Sequence, residues 1–367
     1  MGSITRTIAN NLTNDLGGAG GINFRNIIIN GDMSIAQRGT SVSSITSSGY
    51  KTCDRWNLFI SPSMGTWTQS QSTDVPTGQG FSSSLKMDCT VAQASPASSA
   101  VNIIDTIIEG QNLQYLKWGT SNAEQITLSF WHKHTKTGTN IIELIANDSF
   151  DVVAGSYTQS VSDTWEYATI IFPANTITTV DNDNGGSLKI RFVLASGTDY
   201  TSGTLATTWQ DTPVSANRYS GQVNNGDSTA NNFLITGVQL EAGTSATEFE
   251  FLPVDVNLQR CYRYYYLHAE GATQTIGTMW WYASGVNATT IFLKTTMRTT
   301  PSLSYTTGTN YYIVYTGGTT VSFDSFTGLA NVSNKALSLD SNLSGTSHDV
   351  GRVATSTGGS IAFSAEL

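Results

Sequence analysis

The chain has 367 residues, and 18 lysines and arginines against 27 aspartates and glutamates give it a net charge of −9. Its isoelectric point is near 4.8, and only 12 % of its residues are charged. An acidic chain without a basic cluster argues against nucleic acid and against anionic membranes as partners, because both need clustered lysine and arginine. No apolar run approaches the length of a membrane span, and the N-terminus lacks the apolar core of a signal peptide. We therefore expect synthesis in the cytoplasm without a signal peptide and no membrane insertion.

Residues 1–22 differ from the rest of the chain. Ile4, Ile8 and Leu12 recur at a spacing of four, which is typical of one face of a short helix, and a glycine-rich run follows at residues 17–21. A short apolar segment on a glycine linker predicts an arm that docks onto a larger assembly. A frayed terminus is the alternative.

The segment 23–39 begins as a predicted strand around residues 27–29 and turns at residues 30–32, where Asn and Gly accept left-handed backbone angles. Its predicted partner is the segment 50–56. Between them, four charged residues are expected to form ion pairs with a structural role: Asp32, Arg38, Asp54 and Arg55.

Three cysteines, Cys53, Cys89 and Cys261, form an odd set without CxxC spacing. We expect buried free thiols, as in a protein made in a reducing compartment. A Cys53–Cys89 bridge stays open as the alternative.

Residues 57–230 repeat one pattern, in which apolar and polar residues alternate and a polar turn follows. Residues 126–130, 164–172 and 188–194 are examples, and Asn, Asp and Gly crowd the turn at residues 181–186. The segment 101–108 is the one stretch of this region that could be interpreted as a helix, but its β-branched residues disfavour that structure. Many short strands without a long helix predict an antiparallel two-sheet sandwich.

The stretch 231–243 predicts the last strand of this region, close to residues 27–29. Strict alternation would place Leu234, Thr236, Val238 and Leu240 on one face, and Gly243 ends the strand. After it, Pro253 opens a predicted short helix that runs into an aromatic block. We interpret this block as packing between domains or subunits, and it consists of Tyr262, Tyr264, Tyr265 and Tyr266.

Residues 271–367 predict a second, smaller β module. Tyr311, Ile313 and Tyr315 alternate with their neighbours, and a strand is expected to reach Leu367. About 95 residues make a modest core, and such a domain gains stability by burying one face against its own copies. The sequence thus predicts four parts: residues 1–22, 23–252, 253–270 and 271–367.

Short motifs in a fixed order give the chain a family resemblance. They are residues 29–39, the Asp-Arg-Trp of 54–56, the Ile-Thr-Gly-Val-Gln-Leu-Glu-Ala-Gly of 235–243 with Phe249, and residues 260–265. In this order they resemble bacteriophage tail-fibre and related virion proteins, over residues 23–367. The resemblance implies an all-β chain, with a carbohydrate-binding-module-like jelly roll, a short connecting helix and a smaller C-terminal β-sandwich.

The resemblance also implies partners and sites. It implies a homotrimer in the virion tail that binds host surface glycan, whereas binding of other tail proteins through residues 1–22 is expected from the position of that segment alone. Glycan binding relies on aromatic rings that stack on sugar C–H surfaces. The aromatic residues expected to do this are Trp280, Trp281, Tyr282 and Tyr312, with core packing as the alternative. Related jelly rolls often hold a structural Ca²⁺, for which Asp32 and Glu241 are the candidate ligands, with hydrogen bonding as the alternative.

No catalytic motif emerges from the sequence. His132 and His134 share a strand face, but without a third ligand motif we expect a solvated strand edge rather than a metal site. No nucleophile elbow, phosphate-binding loop or dinucleotide fingerprint occurs. The sequence therefore predicts a non-enzymatic virion protein for host attachment. The alternatives are a purely structural virion component, such as a head decoration or tail adaptor, and a polysaccharide depolymerase.

Overall fold

The computed structural model describes residues 25–341, 343, 345 and 349–367. The predicted docking arm, residues 1–22, and His348 lie outside these residues. The chain divides into two compact units between Leu252 and Pro253. No helix among the described residues is long and apolar enough to cross a membrane.

The first unit is a jelly-roll sandwich of two antiparallel six-stranded sheets. One sheet has the order β1-β4-β5-β12-β7-β10 and the other β2-β3-β6-β11-β8-β9. The strands are β1 Ser41–Ile45, β2 Gly49–Tyr50, β3 Asn57–Ile60, β4 Thr66–Ser72, β5 Ser84–Val91, β6 Val101–Glu109, β7 Ile126–His134, β8 Gly138–Ala146, β9 Asp151–Gln159, β10 Glu166–Phe172, β11 Gly186–Ser196 and β12 Asn232–Ala242. Three short 3₁₀ turns also lie among the described residues of this unit, at Gly110–Asn112, Gln114–Leu116 and Ser215–Asn217. The predicted all-β class is confirmed, and residues 101–108 are a strand.

The core of this sandwich forms where the inward side chains of the two sheets meet. Phe192 lies 5.9 Å from Trp56 and 5.2 Å from Phe130, between ring centroids, in edge-to-face contacts. Such pairs stabilise a core by about 0.5–1.5 kcal/mol beyond their buried area. Cys53 and Cys89 are buried free thiols, as is Cys261 in the second unit, so the alternative disulfide is absent from the described residues.

The second unit begins with one helix, α1 Val254–Tyr262, whose N-cap is Pro253. Ten strands follow: β13 Tyr265–Glu270, β14 Thr275–Ala283, β15 Val286–Phe292, β16 Ser302–Tyr305, β17 Tyr312–Thr316, β18 Thr319–Phe323, β19 Phe326–Ala330, β20 Ala336–Ser341, β21 Val350–Thr355 and β22 Ser360–Ser364. They form a sheet β13-β22-β16 and a seven-stranded sheet β18-β17-β21-β14-β15-β20-β19, whose side chains share one hydrophobic core. The last strand stops at Ser364 rather than at Leu367.

The N-terminal motif is irregular where a strand was expected. Residues 25–27 are irregular and residues 28–30 form bends, and the segment is held against β12 partly because Asn26 uses its side chain as a strand would use its backbone. Its amide donates to the Val238 carbonyl at 3.0 Å, and its oxygen accepts from the Leu240 N–H at 3.1 Å. The prediction that this segment lies close to β12 is therefore correct, although residues 27–29 do not form the predicted strand. Arg38 also forms the expected ion pair, 3.8 Å from Asp54.

Strict alternation along β12 is wrong because the strand contains a β-bulge. Against β7, Thr236 pairs with Trp131 but Gln239 pairs with Ser129, so one extra residue is inserted. The core-facing residues are consequently Phe233, Ile235, Val238 and Leu240. The bulge leaves Gln239 and Glu241 on the outer face.

Two histidines lie inside the sandwich, which corrects the expectation of a solvated strand edge. His132 is 1 % exposed and His134 is fully buried. His132 Nδ1 lies 2.9 Å from Gln159 Oε1, and His134 Nε2 lies 3.2 Å from the Tyr157 hydroxyl. Burial lowers the pKa of His132, although Gln159 and the Glu166 carboxylate partly oppose this. Burial, with a smaller contribution from His132, holds the pKa of His134 well below its usual range.

We expect the first unit to lose stability as the pH falls through about 6.5, the ordinary histidine pKa. Below that pH the unfolded chain binds protons that the folded state, with its lowered pKa values, does not bind. Urea unfolding between pH 8 and 5 measures this loss, and NMR titration of the histidine rings should show midpoints below 6.5 for both residues. Burial also lowers the pKa of His268 in the second unit, so this residue adds its own dependence on pH. The variant His268→Gln is therefore the control, because it removes that contribution. A midpoint for His134 at or above 6.5 would contradict the prediction.

Candidate functional site: an aromatic cleft on the jelly roll

The floor of the site is the outer face of β7 and β10. Phe130 and His132 point into the core, so alternation turns Trp131 outward. Tyr167 is its direct partner across the antiparallel pair, and the two ring centroids lie 5.2 Å apart at 50°. Tyr167 is 47 % exposed, and Trp131 is half-buried. The next pair on this face consists of two hydroxyl residues, Ser129 and Thr169.

One wall of the site is a cluster of three phenylalanines. Phe81, Phe249 and Phe251 lie 4.9–5.1 Å from one another between ring centroids. Phe81 is buried and Phe251 is 50 % exposed, so the cluster runs from the protein interior to the cleft. Gly237 makes room for it: the backbone has φ +62° there, and a Cβ would lie 2.5 Å from the Phe81 ring. The bulge in β12 therefore needs glycine at this position on two grounds.

A buried polar pair, Gln239 and Glu241, holds the loop that carries this wall. Glu241 Oε1 accepts from the Thr247 N–H at 2.8 Å, and Oε2 accepts from the Thr247 hydroxyl at 2.8 Å. Gln239 Nε2 donates to Glu241 Oε1 at 3.1 Å, and its Oε1 accepts from the Glu250 N–H at 2.9 Å. Both side chains are at most 2 % exposed. We call this pair and its bonds to Thr247 and Glu250 the loop clamp.

Together the floor and the wall enclose a cleft of about 810 Å³. The described residues that line it are Gly78, Gln79, Phe81, Ser129, Trp131, Tyr167, Thr169, Gly237, Ala246, Thr247, Glu248, Phe249 and Phe251. The volume is within the range of ligand sites, and aromatic faces alternate with amide, hydroxyl and carboxylate groups. Such a lining can stack on the C–H face of a sugar ring and hydrogen-bond its hydroxyls.

The residues predicted from sequence for glycan stacking divide into two pairs. Trp280 and Tyr282 are each 48 % exposed on the outer face of β14, with ring centroids 5.1 Å apart. Trp281 and Tyr312 point into the core and are 3 % and 0 % exposed. The Tyr312 hydroxyl donates to the Thr306 and Ser360 carbonyls at 2.9 Å. Because neither buried ring offers a face to solvent, the structure corrects the prediction for Trp281 and Tyr312.

The predicted aromatic seam lies in the second unit and is buried there. Tyr262 and Tyr266 are 5.1 Å apart between ring centroids, and the Lys294 ammonium lies 5.2 and 5.3 Å from these rings. Tyr264 and Tyr265 are buried as well. Tyr262 and Tyr266 belong to the hydrophobic core of this unit, and a role of the block between domains or subunits stays a prediction.

The candidate calcium ligands take part in hydrogen bonds with the protein. Donors from Thr247 and Gln239 already hold both carboxylate oxygens of Glu241. Asp32 Oδ1 is placed to accept from the Ser34 N–H, at 3.5 Å. Across the described part of the chain, no group of three or more His, Cys, Asp or Glu residues could hold a metal ion. Hydrogen bonding, the alternative, therefore describes Glu241.

Sequence reasoning missed Trp131 and Tyr167, although a signal was present. Tyr167 lies in a segment predicted as a strand and Trp131 directly follows the predicted strand 126–130, and both have the parity opposite to apolar neighbours that face the core. An outward Trp and an outward Tyr on strands that form a pair would have indicated the site. The pairing of β7 with β10 was the missing information.

Comparisons with known proteins were made for the whole chain. No protein-family model and no curated protein matches it. Among solved structures, the chain is similar to the enzymatically active domain of tailspike protein 4 of bacteriophage CBA120, with 16 % identity and a TM-score of 0.31 over 60 % of this chain and 22 % of that one. It is similar to a putative sugar binding protein from Bacteroides thetaiotaomicron, with 13 % identity and a TM-score of 0.30 over 59 % and 99 % of the two chains. It is also similar to a family 11 carbohydrate-binding module of a Clostridium thermocellum cellulase, with 13 % identity and a TM-score of 0.25 over 56 % and 98 %. The chain thus spans less than a quarter of the tailspike chain.

We expect Glu241→Ala to loosen the wall of the cleft, because it removes the acceptor of the Thr247 N–H and the nearer acceptor of the Thr247 hydroxyl. Hydrogen bonds to a buried charged group contribute about 1.5–3 kcal/mol each, so the free energy of unfolding should fall by about 2 kcal/mol or more. Amide exchange at Thr247 should accelerate. The control is Glu124→Ala, which removes an exposed ion pair with Lys117 and should cost under about 1 kcal/mol. Unchanged exchange at Thr247 in Glu241→Ala would show that the clamp does not hold the loop.

Proposed function

We propose that this protein is a non-enzymatic glycan-binding protein and that the cleft on its jelly roll is the binding site. The observation that carries the proposal is the Trp131–Tyr167 pair, which presents two adjacent aromatic rings on the floor of a cleft. Hydroxyl and amide groups from Gln79, Ser129 and Thr169 surround these rings. Of the described residues that line the cleft, Glu248 alone is a carboxylate, whereas glycoside hydrolysis generally uses two. This supports binding rather than cleavage.

We further propose that the protein serves host attachment as a tail-fibre or receptor-binding component of a phage virion. The order of its motifs and the all-β architecture support this, since both agree with the family it resembles. The proposal includes a homotrimer that is docked to other tail proteins through residues 1–22 and contacts host surface glycan.

The binding site is tested by comparing two exposed aromatic pairs of equal chemistry. We expect Trp131→Ala and Tyr167→Ala each to weaken binding to array glycans by about tenfold or more, which corresponds to about 1.4 kcal/mol. The double variant Trp280→Ala/Tyr282→Ala, in the second unit, should bind as the wild type does. The opposite pattern would move the site to β14, and wild type that binds no glycan would refute the proposed function.

The virion role has its own test. Antibody against the first unit should label distal fibre tips in electron micrographs of virions, and light scattering should give three times the 39.3 kDa chain mass. Label on the capsid or tail body would favour the purely structural alternative. Release of reducing sugar from host polysaccharide would favour the depolymerase.

A further inference from the structure

The charge of the cleft is entirely negative. Among the described residues that line it, none is a lysine, arginine or histidine, and Glu248 is the one charged residue. Glu248 is exposed, and the described ion pairs include none with its carboxylate. A bound glycan therefore meets an uncompensated negative charge.

The cation next along the floor strand does not offset this charge. Lys133 follows Trp131 on the outer face of β7, but its Nζ lies 2.9 Å from Asp74 Oδ2 and 3.3 Å from Asp163 Oδ1. Two carboxylates around one ammonium group leave a net negative charge there as well. An anionic ligand would find no free cation at Lys133.

The loop clamp fixes the position of Glu248. Gln239 Nε2 lies 3.3 Å from the Glu248 carbonyl oxygen. The preceding residue, Thr247, is hydrogen-bonded to Glu241, and Glu250, two residues after Glu248, is hydrogen-bonded to Gln239. The backbone of Glu248 is thus held between two anchored points. A charge on an anchored backbone stays beside the cleft, unlike one on a free loop.

We propose that Glu248 is a specificity-determining residue that restricts the cleft to uncharged glycans and excludes those carrying uronate, sialate or sulfate groups. This inference rests on the proposed function. Like charges brought together at a binding site oppose the wrong partner, and the field of an exposed charge reaches about 8–10 Å at physiological salt. A carboxylate on a sugar seated between Trp131 and the wall would lie within that reach, because Glu248 is itself part of the lining.

The test uses matched hexasaccharides that differ only at C6. The neutral probes are β-1,4-linked glucose, mannose and galactose hexamers, and the acidic probes are the corresponding uronic acid hexamers, titrated calorimetrically at low and high salt. We expect wild type to bind at least one neutral hexamer at least about tenfold more tightly than its acidic counterpart. Glu248→Gln should reduce this ratio to about threefold or less, and added salt should reduce it in wild type but not in the variant.

Two comparisons keep the outcomes distinct. Glu270→Gln removes one exposed carboxylate from the second unit and should leave the ratio unchanged, which would show that the net charge of the protein does not cause the selectivity.

Equal or tighter binding of an acidic hexamer, lost in Trp131→Ala, would overturn the selectivity while the glycan site survives. A ratio that Glu248→Gln leaves unchanged would also overturn the role of Glu248. Binding of none of the six hexamers would overturn the proposed function together with the inference. Since Glu248 is exposed, its replacement leaves the core intact, and circular dichroism verifies this.

Discussion

The cleft depends on one constraint: Gln239 and Glu241 are polar side chains that become buried on the outer face of a strand. A buried carboxylate without partners costs several kcal/mol, so the chain must bring donors to it. The segment that follows β12 supplies them from Thr247, whose N–H and hydroxyl donate to Glu241, and the Glu250 N–H donates to Gln239. Satisfying this pair folds the segment back over its own strand and places Phe249 and Phe251 beside Phe81. A polar requirement thus positions an apolar wall.

The bulge in β12 creates that requirement. One inserted residue reverses the parity of the strand, so that Val238 and Leu240 continue the core that Phe233 and Ile235 begin. If the same sequence alternated strictly, without a bulge, Gln239 and Glu241 would point into the sandwich. Gly237 makes the inversion possible because it accepts a positive φ and leaves space for the Phe81 ring.

The fold class and many of the strands followed from local pattern, whereas the site did not. Alternation indicated β7, β10 and β11, and turn residues separated them, because these signals depend on neighbours in sequence. The cleft joins residues near 80, 130, 168 and 248, so it exists only through strand pairing and loop closure. Side chains alternate between the two faces of a strand, so only some of the aromatic residues predicted on β14 are exposed: Trp280 faces outward and Trp281 faces inward. The buried pair His132 and His134 shows the same limit, because polarity suggested solvent while a Gln159 partner from the opposite sheet made burial tolerable.

The two exposed Trp–Tyr pairs compared above, both among the described residues, differ in their surroundings. Trp280 and Tyr282 are each 48 % exposed on the outer face of β14. Trp131 and Tyr167 form a floor beside a wall of three rings, with hydroxyl, amide and carboxylate groups between. Affinity for a small polar ligand comes from enclosing it and meeting its hydroxyls in a fixed geometry, rather than from exposed aromatic area alone. The pair in the cleft satisfies both conditions, because the loop clamp holds the wall in place before a ligand arrives.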